Sequence, residues 1–580
     1  MGKLSLLLGV FVVVAAATVA LAGDITISTN TLWSGTVTID GTVTVNSTAA
    51  ITVQPGTIIN FVGAGNIKFS RGGLFSAQGT AAAPIQFVGT QTGNITGNLT
   101  GMTLSNCVVT GMGTVTGTTH NSWMYVNPGA SGFSMNSCTV SNSGPMSTMN
   151  SANSGPQSIT NCDLNSTGSW ALMSTVGSAI TFASNKAQGI SFRAYTNNTS
   201  DISHNVIING TLWADGGAAP ANIAVHDNYI HDPNPNSYPS GQYGIESTNG
   251  QVYNNIIRGT NWGMSPIGGH VYNNVLEAGD GIHEQSGDLM DGAVFERNII
   301  VGASMGACMT GASYLGSNVV FRNNTIDMRG VAGTTSSACI YLNHLPTSRA
   351  TGMNIRNNLF LRTGRITDGK PYADTIGYVD YNCWAGQATD GYPGTSTRFS
   401  QISITGKVEG DDGFGMHDTI LPTLAQGYNP ASLVQNASFV DPYSDADMLA
   451  GTYTCAQLLD SYRQAYTPVA GSALINAGSP TDASDPAVTY GQVDIGAVEV
   501  ALLPGDTDMD RKVTFADYIV LERNFGASNA TWAMGDFNGD GRVTFADYVI
   551  LEGGFGKSVP EPMTLLVLVV SMLAGPKRKL

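Results

Sequence analysis

From residue 104 onward the chain repeats one short arrangement of positions: apolar, any, polar, Asn or Cys, any, apolar. It reads "LSNCVV", "MNSCTV", "ITNCDL", "FASNKA", "ISHNVI" and "VHDNYI", then "VYNNII", "VYNNVL", "FERNII", "FRNNTI", "IRNNLF" and "VDYNCW". The fourth position forms a column: Cys107, Cys138, Cys162, Asn185, Asn205, Asn228, Asn255, Asn274, Asn298, Asn324, Asn358 and Asn382. Spacings run from 19 residues (Asn255 to Asn274) to 34 (Asn324 to Asn358). Such a floor with irregular excess is what a coil of short strands and turns gives when loops bulge from some corners. Asn suits a tight turn because it tolerates the left-handed conformation. Stacked on a next coil about 4.8 Å away, its amide both donates and accepts. The column predicts twelve stacked coils.

The stretch before it agrees. "GTVTIDGTVTVNSTAAITVQPGTIINF" alternates apolar and polar residues between Gly breaks, as half-buried strands do. "GGLFSAQGTAAAPIQFVG" carries this into the ladder. The predicted fold is all-β, a right-handed parallel β-helix with an internal Asn ladder, followed by a small helical module. Residues 23–100 are read as its first coils and 101–500 as the ladder region with a closing segment. Pro55-Gly56-Thr57 before Ile59-x-Phe61, and "GSALINAGSPTDASDPAVTYGQVDIGAVEV" from Gly471, resemble the opening and closing elements of exported bacterial β-helix proteins. The resemblance to the pectate-lyase-like group is one of fold and ladder, with no catalytic motif carried over. Residues 385–470 show no period and are assigned only to late coils and loops.

Composition narrows the partners. Only 11% of the 580 residues are charged, and there are 71 Gly, against about a quarter charged in an average soluble chain. The net charge of −16 excludes nucleic acid, since no basic cluster is available to neutralise phosphates. Seven Cys leave at least one unpaired. Cys107, Cys138 and Cys162 replace Asn in the inward column, where neighbouring coils suit either disulfides or a ladder of buried thiols.

Both termini carry address signals. "MGKLSLLLGVFVVVAAATVALAG" has one Lys, an apolar run and Ala20-x-Ala22 before Gly23, which reads as a secretory signal over residues 1–22. At the other end Val559-Pro560-Glu561-Pro562 precedes an apolar run from Met563 to Gly575 and then Lys577, Arg578 and Lys579. This tail, 559–580, resembles the PEP-CTERM sorting signal of Gram-negative bacteria, which implies membrane engagement and surface delivery.

Just before that tail, "GDTDMDRKVTFADYIVLERNFG" from Gly505 recurs as "GDFNGDGRVTFADYVILEGGFG" from Gly535. Each copy holds an EF-hand-like loop. Asp536, Asn538, Asp540, the Arg542 carbonyl and Asp547 stand at positions 1, 3, 5, 7 and 12, with Gly541 at the turn. The first copy offers Asp506, Asp508, Asp510, the Lys512 carbonyl and Asp517, but Arg511 where Gly is wanted, so its affinity is expected to be lower. A loop-plus-helix pair over 505–556, with no helix before either loop, resembles the type I dockerin. That resemblance implies Ca²⁺-dependent folding and docking onto a cohesin-type partner. Positions 10 and 11, which help choose the partner in that family, are Phe515-Ala516 and Phe545-Ala546, unlike the family's hydroxyl-rich pairs.

Candidate chemistry is weaker. The apolar residues Ile190, Leu212, Ile245, Met264 and Ile282 recur once per coil; if they point inward, the residues one and three further on point out. That face would show Ser191, Arg193, Trp213, Asp215, Glu246, Thr248, Ser265, Ile267, His283 and Gln285. Trp213 offers a stacking surface for a sugar. Asp215 and Glu246, on adjacent coils and two residues out of step, are expected with Cα atoms about 8 Å apart, which suits an inverting glycoside hydrolase. Arg193, with the acidic insertion Glu284, Asp288 and Asp291, is the alternative set, for a polysaccharide lyase. The bland reading pairs Arg193 with Asp215 across coils as surface charges, and makes His226-Asp227 and His231-Asp232 turn residues. The predicted function is an exported protein that acts on or binds polysaccharide, the other reading being a non-catalytic adhesin or structural surface protein.

Overall fold

A computed structural model describes residues 18–557, apart from short internal stretches and the longer ones at 216–222, 233–242, 285–290, 310–316, 330–337, 343–351, 370–375, 388–429 and 480–492. Most of the expected leader and all of the tail 559–580 lie outside the described residues. Among the described residues, 42 strands from Thr18–Leu21 to Cys383–Gln387 join in one sheet, and Thr114–Thr116 and Thr119–Asn121 form a separate antiparallel pair. Each strand pairs in parallel with its counterpart one coil away, as in Val43↔Ile67 and Ile67↔Ile95. Short strands alternate buried and half-buried positions, as in Thr36–Ile39 and Thr42–Val45, so one side chain in two enters a core running the length of the coil.

The ladder is continuous from Asn185 to Asn382. Asn185 Nδ2 donates to Asn205 Oδ1 at 3.0 Å, Asn205 to Asn228 at 2.8 Å, Asn228 to Asn255 at 2.9 Å, and so on to Asn382. Each Oδ1 also accepts the backbone N–H of the preceding coil's ladder residue, and each Nδ2 also reaches a carbonyl, as Asn255 does to Val225 at 2.9 Å. The ladder Asn is not the turn residue, however. In all twelve coils the residue before it holds positive φ, including Asn106 (48°), His204 (56°), Asp227 (56°), Asn254 (55°) and Asn357 (56°). Two positions divide the labour: the first absorbs the left-handed corner, and the second points inward and bonds. Cys107, Cys138 and Cys162 occupy the same inward column as free, buried thiols.

The region read as late coils departs from expectation. Among its described residues, two helices, α1 (Asp445–Ala450) and α2 (Cys455–Tyr466), each closed by a capping box, pack on the flank of the coil. They cover outward residues of the strands that follow the ladder: Tyr229, Ile256, Val275, Ile299 and Leu359. The middle residues of those strands, Ile230, Ile257, Leu276, Ile300 and Phe360, face the core. Burial on both faces is why these strands read as unbroken apolar runs. The seam is polar: Tyr229 Oη and His231 Nδ1 meet Asp445 at 3.1 and 2.7 Å, Tyr462 Oη meets Glu277 at 3.0 Å, and Tyr466 Oη meets Asp327 at 2.8 Å. Beyond it, the closing segment pins back to the ladder corner, where Ser479 N donates to Asn357 Oδ1 at 2.8 Å. Two further helices, α3 (Phe515–Arg523) and α4 (Phe545–Gly554), form the C-terminal module. Among the described residues no helix is long and apolar enough to cross a membrane.

Candidate functional site

The outer face singled out from the sequence is shifted by two residues at its first strand. Leu212 pairs with Phe192, not Ile190, so Arg193 lies level with Trp213, Glu246 and Ser265. Ile190 and Phe192 are both buried on one straight strand, and alternation alone cannot tell which of two inward residues pairs with the next coil. The Arg193 guanidinium carbon sits 3.1 Å from the Trp213 ring centroid. One face of that ring is therefore taken by a cation. Asp215 ends the strand Leu212–Asp215 opposite Tyr195, two residues past the Trp213–Glu246 rung, and its side chain lies outside the described residues. Thr248, Ile267, Gln285, Asp288 and the Glu284 side chain also lie outside them. Asp291 accepts a hydrogen bond from Ser317 N at 2.7 Å.

The coils beyond Trp213 hold a feature that the alternation argument missed. Strands Tyr243–Ser247, Trp262–Pro266 and Asp280–Glu284 each place Gly and an aliphatic residue inward in succession: Gly244-Ile245, Gly263-Met264, Gly281-Ile282. A Cβ at Gly244 would lie 2.3 Å from Ile257 Cγ2, and one at Gly281 2.5 Å from Ile300 Cγ2. Only Gly fits between the strand and the core side chains. The residues flanking each pair point away from those inward positions: Tyr243, Glu246 and Trp262 are half-buried, and Ser265, Asp280 and His283 are buried. The repeated "YGIE", "WGMS" and "DGIH" were the legible signal.

On this wall Tyr243 and Trp262 lie with ring centroids 4.7 Å apart, and Trp262 stacks on His283 at 4.5 Å and 23°. His283 Nδ1 is 3.0 Å from Asp280 Oδ2. His283 is only 6% exposed, and its Nε2 is buried with no hydrogen-bond partner among the described residues. Buried polar atoms are normally paired, so an orphan calls for a reason. Asp280 holds the imidazole through Nδ1. Glu246, half-buried, lies two rungs from His283, about 10 Å between Cα atoms by strand spacing.

The C-terminal module is built by a different logic. Asp506 and Asp517, and Asp536 and Asp547, are all nearly fully buried. Oxygens of Asp506, Asp508 and Asp517 lie within 4.8 Å of one another. Burial, with Asp547 and Asp540 nearby, pushes the Asp536 carboxyl up despite backbone N–H donors from Gly539 and Gly541. Buried carboxylates facing one another need a cation, and an all-oxygen set suits a hard one. Asp517 and Asp547 serve twice. Asp547 Oδ2 accepts from Thr544 N at 2.8 Å as the capping-box residue of α4, while Oδ1 accepts from Phe537 N at 2.9 Å across the loop. Asp517 does the same with Thr514 N and Thr507 N, both at 2.7 Å. Asp in place of Glu at position 12 lets one short side chain cap the helix and close the loop. The two copies interlock: a Cβ on Gly505 would stand 2.9 Å from Leu551 Cα, and one on Gly535 3.0 Å from Leu521 Cα.

Residues 504–553 match the Dockerin type I domain. A type I dockerin is a calcium-binding module, and the domain implies a cohesin-type partner. The first loop gathers Asp506, Asp508 and Asp517, and the second carries Asp536, Asn538, Asp540, Arg542 and Asp547 at the corresponding positions of the repeat. Lys512 begins the stretch that leads into α3, while Asp510 and Arg511 lie outside the described residues. The dockerin core, centred on Val513, Leu521, Trp532, Phe537, Val543 and Leu551, also packs on Ile475 and Val500 of the closing segment. No curated protein matches the chain.

Proposed function

We propose that the protein is an exported, carbohydrate-active component of a surface or extracellular assembly. Its β-helix would engage a polysaccharide along the Tyr243–Trp262–His283 wall, and its dockerin would dock on a cohesin-type partner. The observation that carries the reading is the His283–Asp280 pair, whose orphaned Nε2 stands beside stacked aromatic rings and level with Ser265 and Glu246. Aromatic faces suit sugar rings, and a hydrolase needs a proton donor and a proton acceptor flanking the scissile bond. Here His283, oriented by Asp280, and Glu246 are the best-described pair, with Asp215 the further carboxylate. Phe515 and Phe545 support the docking arm. They are 62% and 67% exposed, stand at the same position of each repeat, and stack on Tyr518 and Tyr548 at 5.6 Å.

The second reading, a non-catalytic binding or structural wall, is favoured by the burial of His283 and the capping of Trp213 by Arg193. The test is incubation of the full exported chain, with Ca²⁺, with neutral and uronate-containing polysaccharides. Products gaining water, abolished by Glu246→Gln and His283→Ala, support a hydrolase. Products with an unsaturated uronate end transfer the reading to a lyase. Intact polymer retained on the protein supports the binding wall, and neither cleavage nor retention overturns the carbohydrate reading.

A further inference from the structure

A different face of the coil carries a cluster that the polysaccharide reading does not use. At the left-handed corner before the ladder, neighbouring coils place Asn161 and Ser184 on one side and Asn254 and Asn273 on the other. Between them stand His204 and Asp227, both with φ of 56°. Asn and Asp are the non-glycine residues that best tolerate such a corner; Asp227 fits it, and His204 stands at the same corner one coil earlier. The strand before Asp227 ends in His226, and Asp201 lies on the coil below.

His204, His226 and Asp227 each bring one donor atom to a common point, all within 4.8 Å of one another. His226 Nδ1 is 2.7 Å from Asp227 Oδ2, and His204 Nε2 is 3.9 Å from that same oxygen. The second distance is too long for a hydrogen bond. Together the two bracket the edge of about 3.3 Å between ligands bound tetrahedrally at about 2.0–2.1 Å.

The far side of His226 is braced. Its Nε2 lies 3.3 Å from Asp201 Oδ1, and its ring stacks on Tyr253 at 4.7 Å and 5°. Tyr253 stacks in turn on Tyr272 at 4.9 Å. A carboxylate on the second nitrogen of a ligating His fixes both tautomer and ring plane. The His204 ring stands edge-on to His226 at 5.7 Å and 82°, with its side chain 62% exposed, so solvent and ions reach the cluster.

We infer that His204, His226 and Asp227 form a binding site for a borderline divalent transition-metal ion of the Zn²⁺ class, with Asp201 holding His226. The metal replaces the proton shared by His226 Nδ1 and Asp227 Oδ2, and that proton leaves to solvent. Two imidazoles and one carboxylate leave a fourth position for water or a ligand. Two nitrogen donors distinguish this site from the all-oxygen calcium loops of the dockerin.

The test uses the full exported chain saturated with Ca²⁺, so that the dockerin loops are occupied, titrated with Zn²⁺ alone by calorimetry and checked by metal analysis after dialysis. One Zn²⁺ per chain is expected. His204→Ala and His226→Ala should each weaken binding at least tenfold, and Asp201→Asn by about 10–100-fold. His204 is exposed, so His204→Ala is expected to leave circular dichroism and thermal unfolding unchanged. Co²⁺ substitution should give visible bands of a nitrogen–oxygen set without thiolate charge transfer, which separates this cluster from the Cys107–Cys138–Cys162 column. Absence of Zn²⁺ binding, or Zn²⁺ binding that His204→Ala leaves intact, overturns the assignment.

Discussion

The coil and the dockerin both bury polar side chains, and they satisfy them in opposite ways. Along the ladder each amide donates to one neighbour and accepts from another, so the column is complete without anything from outside. In the dockerin, Asp506, Asp517, Asp536 and Asp547 are buried as acceptors only. Backbone N–H groups and threonine hydroxyls cover part of their capacity, and the remaining charge is left for a cation. A donor–acceptor side chain makes a self-sufficient core, whereas an acceptor-only side chain makes a conditional one.

Chelation should separate the two most sharply. Calorimetry of the full chain in EDTA is expected to lose the dockerin transition, because folding and metal binding are one equilibrium in such modules. The transition of the coil should not move. Coincident loss of both would mean that the packing of Ile475 and Val500 on the dockerin couples the halves.

The next largest effect should come from the ladder itself. Asn255→Ala removes the acceptor of Asn228 Nδ2 and the donor to Asn274 Oδ1, and is expected to cost about 3 kcal/mol by leaving buried partners unmet. Denaturant titration measures it, and a loss within error would show the column to be ornamental.

Acid should find a third weakness. Burial raises the Glu296 carboxyl, but His270 and Arg322 outweigh it and hold it at about 2, below its ordinary 4.5. The folded value is the depressed one, so this group's stabilisation is complete above about pH 4.5 and fades as pH falls toward 2. Glu296→Gln should flatten that limb of a stability–pH curve.

The smallest effect compares the two calcium loops. Gly541 turns with φ of 79°, and the first loop has Arg511 at that position. Arg511→Gly gives the first loop the Gly that such loops carry at the turn, and is expected to tighten the first site about fivefold, the equivalent of about 1 kcal/mol. Two-site calcium titration reads it, and an unchanged first site would refute the expectation.

The ladder column and the dockerin loops were legible because each is a spacing that repeats without needing its surroundings. The left-handed corner was misassigned to the ladder Asn, since "NN" in "VYNNII" and "VYNNVL" does not say which amide turns and which bonds. Helices α1 and α2 were not foreseen. Their partners, such as Tyr229 and Ile256, read as ordinary core strand, and periodicity does not reveal that a strand is buried from both sides. On the candidate face, Arg193, Trp213, Glu246 and His283 were named from the sequence. Tyr243, Trp262 and Asp280 were not, because two inward residues in succession break the period on which the reading relied.

The segment holding α1 and α2 has a mechanical consequence. A solenoid in which each coil touches only its neighbours peels from an end, one coil at a time. Here the segment grips coils far apart in the stack, from Tyr229 through Asp445 to Arg362, which donates to the Ala437 carbonyl at 2.6 Å. It works as a lateral splint. A tear opening at either end must shear that splint before it travels, so a load pulling on an anchored chain should meet one large rupture instead of a staircase of small ones.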